Sequence, residues 1–227
     1  MSRAKQTRRE RNRQVDRFQL YKPFIFYTAV LSVMQYAVVR SGASSIVSAA
    51  GLFVVGLLTW GLYEYSVHRW VLHREPKAEG FNLPGNLTHL RHHADPNSLQ
   101  RLNVQLGESL PVCVAYVLLG WALTGSWQAA THLFTGLIAG YFFYEYLDFQ
   151  AHHGTSRGRL TRYFRKYHLQ HHHYDATVRF GVTSPLFDYL FGTFHIEKRA
   201  GQSGRRRPSA AFHNIHTLSR NEPRRES

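Results

Sequence analysis

The chain is poor in cysteine and in acidic residues: 227 residues hold one cysteine, Cys113, and fourteen Asp and Glu against 28 Lys and Arg. A single cysteine excludes an internal disulfide framework. The acidic shortfall leaves a formal net charge of +14, which by itself suggests a nucleic-acid binder. The basic tails lack interleaved aromatic residues, however, and they flank apolar stretches, so that reading is set aside. No cleavable signal peptide is read either, because the first apolar run begins only after Pro23 and has no cleavage site. More informative is where positive charge is missing. Segments 24–39, 46–66, 104–124 and 127–147 contain no Lys or Arg. Each approaches the ~20 apolar residues needed to cross a hydrocarbon core. The mean hydropathy of −0.34 hides them.

These segments predict four transmembrane helices arranged as two hairpins in an all-α protein. Gly51, Gly56 and Gly61 in the second, and Gly136 and Gly140 in the fourth, are expected to let helices approach closely. With the N-terminus inside, every one of the 28 basic residues except Arg40 falls on the inner side. That asymmetry predicts cytoplasmic chain ends and a cytoplasmic helical cap. Residues 1–22 read as a basic tail suited to anionic headgroups, 23–200 as the membrane domain, and 201–227 as a disordered basic tail.

What the chain has in plenty is histidine, fifteen in all. Nine fall into boxes: His68-x4-His73, His89-x2-His92-His93, His152, and His168-x2-His171-His172. Imidazole is the commonest neutral metal ligand, and residues three and four apart share a helix face. Two such triplets facing each other would surround two ions, and the boxes lie where the second and fourth apolar segments end. The chain therefore reads as a metal-binding membrane protein. His132, His153, His173, His195, His213 and His216 match no box and are taken as ordinary.

The boxes resemble those of the fatty acid hydroxylase and sterol desaturase superfamily. His68-Arg69-Trp70-Val71-Leu72-His73 is similar to its first box, and His89-Leu90-Arg91-His92-His93 to its second. Tyr167-His168-Leu169-Gln170-His171-His172, with the closing run from Phe180 to Thr193, is similar to its last, and that run looks nearest to fatty acid 2-hydroxylases. The resemblance implies an O2-dependent, non-haem dimetal oxygenase with iron as the working metal, zinc being possible as isolated. It implies as ligands His68, His73, His89, His92, His93, His152, His168, His171 and His172. A lipid acyl chain from the bilayer would be the substrate, and electrons would come from a separate protein. Related lipid oxidases, or a non-catalytic metal-binding descendant, are the alternatives. A bacterial inner membrane is favoured over the endoplasmic reticulum.

One position departs from the family. Asp148 stands four residues before His152, where the related hydroxylases carry histidine. A carboxylate oxygen ligates iron well, so Asp148 is read as the tenth ligand; the alternative is a helix-end acid holding a ligand histidine. Glu64 and Glu145 lie on the same helical faces as the following ligands and are expected to orient them from the second shell. Tyr63, Tyr65, Tyr144 and Tyr146 are read as an interfacial belt. Glu108 is read as a headgroup-level residue and Asp188 as a local structural anchor.

Overall fold

The computed structural model describes residues 17–42, 44–75, 84–99, 104–155 and 157–195. The expected disordered tail over 201–227 and most of the N-terminal tail lie outside them. All the described regular structure is helical: α1 (Arg17–Ser41), α2 (Ile46–Val67), a π-helical turn (His68–Leu72), α3 (Pro84–Ala94), α4 (Leu106–Thr124), α5 (Trp127–His152), α6 (Arg159–His173) and α7 (Leu186–Leu190). Two compact units divide the chain, one of residues 1–63 and 98–146, the other of 64–97 and 147–227. The dividing points fall within α2 and near the end of α5.

The first unit is a helical bundle. α1 starts at Arg17, so Pro23 does not mark the break before it but lies buried inside the helix. The core joins Tyr27, Trp60, Cys113, Phe134, Leu137, Ile138 and Tyr141 from all four helices. Two side-chain hydrogen bonds cross between its helices. Tyr27 Oη meets Ser109 Oγ at 2.8 Å, and Gln35 Nε2 donates to Thr135 Oγ1 at 2.6 Å. Outward-facing residues are apolar: Val33 and Val39 on α1, Val54 and Leu58 on α2, Leu118 and Leu119 on α4 are exposed. A bundle with an oily exterior belongs in lipid, not water.

Among the described residues three helices are long and apolar enough to span a membrane: Leu20–Ser41, Ile46–Leu72 and Leu106–Thr124. The expected fourth, α5, has the length but is less apolar. The reason is its place in the bundle. Ala130, Thr131, His132, Phe134, Leu137, Ile138 and Tyr141 are all buried, so most of its surface meets protein. A helix facing its neighbours tolerates Thr and His that a lipid-facing one would not.

Close approach of α2 and α5 rests on Gly56 and Gly136. A Cβ on Gly56 would strike the Leu133 carbonyl, and one on Gly136 the Phe53 carbonyl. Gly140 makes room for the Trp60 side chain. Gly51, expected to serve likewise, has nothing within 4 Å of the Cβ position.

The second unit holds the π turn, α3, the end of α5, α6 and α7. Tyr65, expected in an interfacial belt, is instead fully buried in it. Its ring stacks on Phe191 with centroids 5.0 Å apart, and its Oη lies 3.0 Å from Thr193 Oγ1. α3 is fastened to the π turn by Asn86, whose Nδ2 approaches the carbonyls of Val71, Leu72 and Arg74 at 3.1, 2.7 and 2.9 Å. One side chain thereby serves carbonyls left over at a helix end.

Candidate metal centre

All ten residues singled out as ligands lie in the second unit, and the structure gathers them into two groups of five. His68, His73, His89, His93 and His171 form one; His92, Asp148, His152, His168 and His172 form the other. Within each group the ligand-type atoms lie within 4.8 Å of one another, close enough to hold a metal ion.

The first group depends on the π turn. Residues five apart stand ~140° apart on an ordinary α-helix, at 100° per residue, and would not share a face. The wider turn carries an i→i+5 hydrogen bond from His73 N–H to the His68 carbonyl at 3.3 Å and brings the two Nε2 atoms to 3.2 Å. The spacing His-x4-His thus fits a π turn, a device common at functional sites. From α3, His89 Nε2 lies 3.0 Å from that of His68 and 3.1 Å from that of His73. His93 Nε2 lies 3.1 Å from that of His89, and His171 Nε2, from α6, 3.0 Å from that of His73.

The protons show what these contacts are. His68 Nδ1 donates to the Phe180 carbonyl at 2.6 Å and His171 Nδ1 to the Val178 carbonyl at 2.7 Å. In a neutral ring each then presents a bare lone pair at Nε2. Burial pushes the pKa values of His89, His93 and His171 well below their ordinary range, and that of His73 down to about 4, so all four are neutral at pH 7. Converging lone pairs repel one another unless a cation lies among them. Ring nitrogens held about 2.1 Å from one ion at right angles stand about 3 Å apart. The donor set fits a metal.

The second group adds a charge. Asp148 Oδ1 lies 2.8 Å from His168 Nε2, and 3.6 and 3.7 Å from those of His152 and His92. Burial alone would raise the Asp148 pKa, but His92 and the hydrogen bond from His168 outweigh it and hold the carboxyl well below the usual range. His152 Nε2 is 3.0 Å from His168 Nε2, and burial lowers its pKa to about 3. Both ring nitrogens of His172 are buried without a hydrogen-bond partner, and a metal ion would satisfy one of them.

Each His-His pair is divided between the groups. His93 belongs to the first and His92 to the second; His171 belongs to the first and His172 to the second. The His93 and His172 rings stack across the divide, 3.9 Å between centroids and 11° between planes.

The two carboxylates expected to orient ligand histidines make other contacts as well. Glu64 Oε1 accepts the backbone N–H groups of Val182 and Thr183, the latter at 3.0 Å, and Oε2 accepts the Thr183 hydroxyl. It therefore braces the closing segment whose Phe180 carbonyl orients His68. Glu145 lies in the first unit, where Oε1 accepts the Val104 N–H at 3.0 Å just ahead of α4. Glu108 caps that helix by accepting the Gln105 N–H at 3.3 Å. Asp188 is the anchor expected of it: Oδ1 accepts the Phe180 N–H and the Thr193 hydroxyl at 2.8 and 2.7 Å, and Oδ2 the Gly181 N–H at 2.8 Å. Sequence reasoning missed the orienting carbonyls of Val178 and Phe180 and the role of Asn86. For the carbonyls the available signal was the run from Phe180 to Thr193, part of the family likeness.

Comparison with known proteins agrees with this geometry. The profile of the fatty acid hydroxylase family matches residues 53–193. The dihydroceramide fatty acyl 2-hydroxylase FAH1 of Arabidopsis thaliana is 31% identical over 147 residues, covering 65% of this chain and 62% of the relative. The ceramide very long chain fatty acid hydroxylase SCS7 of Saccharomyces cerevisiae is 33% identical over 149 residues, covering 64% of this chain and 38% of the relative. The chain thus spans under two thirds of the length of these relatives. A solved structure of full-length scs7p, with only its hydroxylase domain visible, superposes with a TM-score of 0.67 at 27% identity, covering 82% of this chain and 69% of the other. The chain belongs to the fatty acid hydroxylase family.

Proposed function

We propose that this membrane protein is an O2-dependent hydroxylase of lipid acyl chains, with His68, His73, His89, His93 and His171 holding one metal ion and His92, Asp148, His152, His168 and His172 a second. The observation that carries this reading is the convergence of ten ligand atoms, from seven buried and three half-buried residues, into two sets of five in one unit of a fatty acid hydroxylase family member. A pair of redox-active ions, iron by preference, supplies the oxygen activation that C–H hydroxylation needs; zinc has no redox chemistry. The protein's part is to keep the imidazoles neutral, fix two of them through Nδ1 and keep water away. Electrons come from a separate protein. The Arabidopsis relative is named a fatty acyl 2-hydroxylase, and the same position is proposed here.

The ligand partition also bears on topology. Each set mixes residues from before α4 with residues from after α5, so both stretches lie on one side of the membrane. If α4 crosses, the chain must return, and α5 is the helix that can do it. This supports four spans, and the confinement of all Lys and Arg but Arg40 to one side supports a cytoplasmic histidine unit. The named relatives are eukaryotic, and they lend no support to a bacterial inner membrane.

The test is lipid analysis of cells carrying the chain or its His171→Ala variant, with metal analysis of both. Expected are 2-hydroxylated acyl chains and two metal ions per chain for the first, and neither in full for the second. Identical lipids in both cells, or one ion or fewer in the iron-loaded parent, overturns the reading.

A further inference from the structure

Two carbonyls of the irregular segment 178–183 serve two different imidazoles of the first metal-binding group. Val178 takes His171 Nδ1–H and Phe180 takes His68 Nδ1–H, and the two ring centroids are 4.7 Å apart. In extended backbone carbonyls two residues apart stand about 6.6 Å from each other, at about 3.3 Å per residue. Between the two carbonyls stands Arg179 with φ 61°, the one non-glycine residue in the left-handed region among the described residues. Its left-handed turn breaks the extended path between the two carbonyls.

The guanidinium is not what faces the site. Arg179 is 3% exposed, and its Nη2 and Nε donate to the His195 carbonyl at 3.0 and 3.3 Å, while its N–H donates to the Thr193 carbonyl at 3.1 Å. Beyond it, four consecutive N–H groups are gripped by acids, those of residues 180 and 181 by Asp188 and those of 182 and 183 by Glu64. A strained backbone persists where its surroundings over-determine it, and such residues cluster at functional sites.

We propose that Arg179 is a positioning residue for the first metal site: its left-handed backbone aims the Val178 and Phe180 carbonyls at His171 and His68, so that both Nε2 lone pairs face one ion. This rests on the two-metal reading above. The role belongs to the turn and not to the side chain, so glycine, which adopts positive φ freely, fulfils it and a β-branched residue does not.

The experiment titrates zinc, a redox-silent probe, into the full chain and its Arg179→Gly, Arg179→Ala and Arg179→Val variants in lipid nanodiscs, against a chromophoric chelator. Arg179→Gly is expected to bind two ions with the parent's affinity. Arg179→Val is expected to keep one and to bind the other about 10–100-fold more weakly, the usual loss when an outer-shell partner goes, with Arg179→Ala between them. A glycine variant as weak as the valine one overturns the proposal, as does a valine variant that loads like the parent. Should the valine variant not fold, glycine against alanine decides, and equal affinities overturn it. A parent chain that binds fewer than two zinc ions refutes the two-metal reading instead.

Discussion

Asp148 makes the two groups of ligands chemically unequal. The first is five neutral imidazoles, whereas the second sets a carboxylate oxygen 2.8 Å from His168 Nε2. A hard, charged oxygen donor suits iron and stabilises positive charge beside it. If Asp148 ligates, Asp148→Ala removes one ion per chain and abolishes turnover, while Asp148→His keeps two ions. A mere outer-shell role would weaken binding only about 10–100-fold. Metal titration of the two variants separates these outcomes, and an alanine variant with full metal and turnover contradicts both. That these ten residues come together was legible in the sequence from the histidine boxes and their likeness to the family's. The orienting carbonyls of Val178 and Phe180 were not, because every residue has a carbonyl and only the folded path aims it.

At the level of elements, the histidine-bearing helices were legible and the manner of their meeting was not. Their apolar runs and box spacings gave the helices, but His68 and His73 meet only because the helix widens into a π turn. α5 was expected as the fourth membrane span, and most of its surface proves to meet protein; sequence records apolarity but not which neighbours will cover a face. Glycines were similarly ambiguous until packing sorted them. Gly136→Ala drives a Cβ into the Phe53 carbonyl and is expected to cost about 1–3 kcal/mol, as overpacking does. Gly51→Ala meets nothing within 4 Å and is expected to be neutral or slightly stabilising, since alanine favours helix. Thermal unfolding of both variants in detergent checks the contrast; equal effects would contradict it.

For the whole molecule, the ligand partition bears on the number of spans, and charge carries the proposed orientation. A fluorescent reporter fused after Ser227 is expected to report from the cytoplasm, and a cysteine placed at Ser44 to react with an impermeant label from outside only. Labelling of position 44 from the inside would defeat the proposed topology. The all-helical class and the gathering of the histidines were readable at this scale because the histidines stand in repeated boxes.

The division of His92 from His93, and of His171 from His172, has a further consequence. Neighbouring Cα atoms are held about 3.8 Å apart by covalent bonds. Two such links, one on α3 and one on α6, therefore act as rulers between the two groups of ligands. Substitutions in the surrounding shell, or thermal breathing of the helices, can carry both groups along together. The links hold the backbones of the two groups in step, and the rotamers of the four histidines set the rest of the gap.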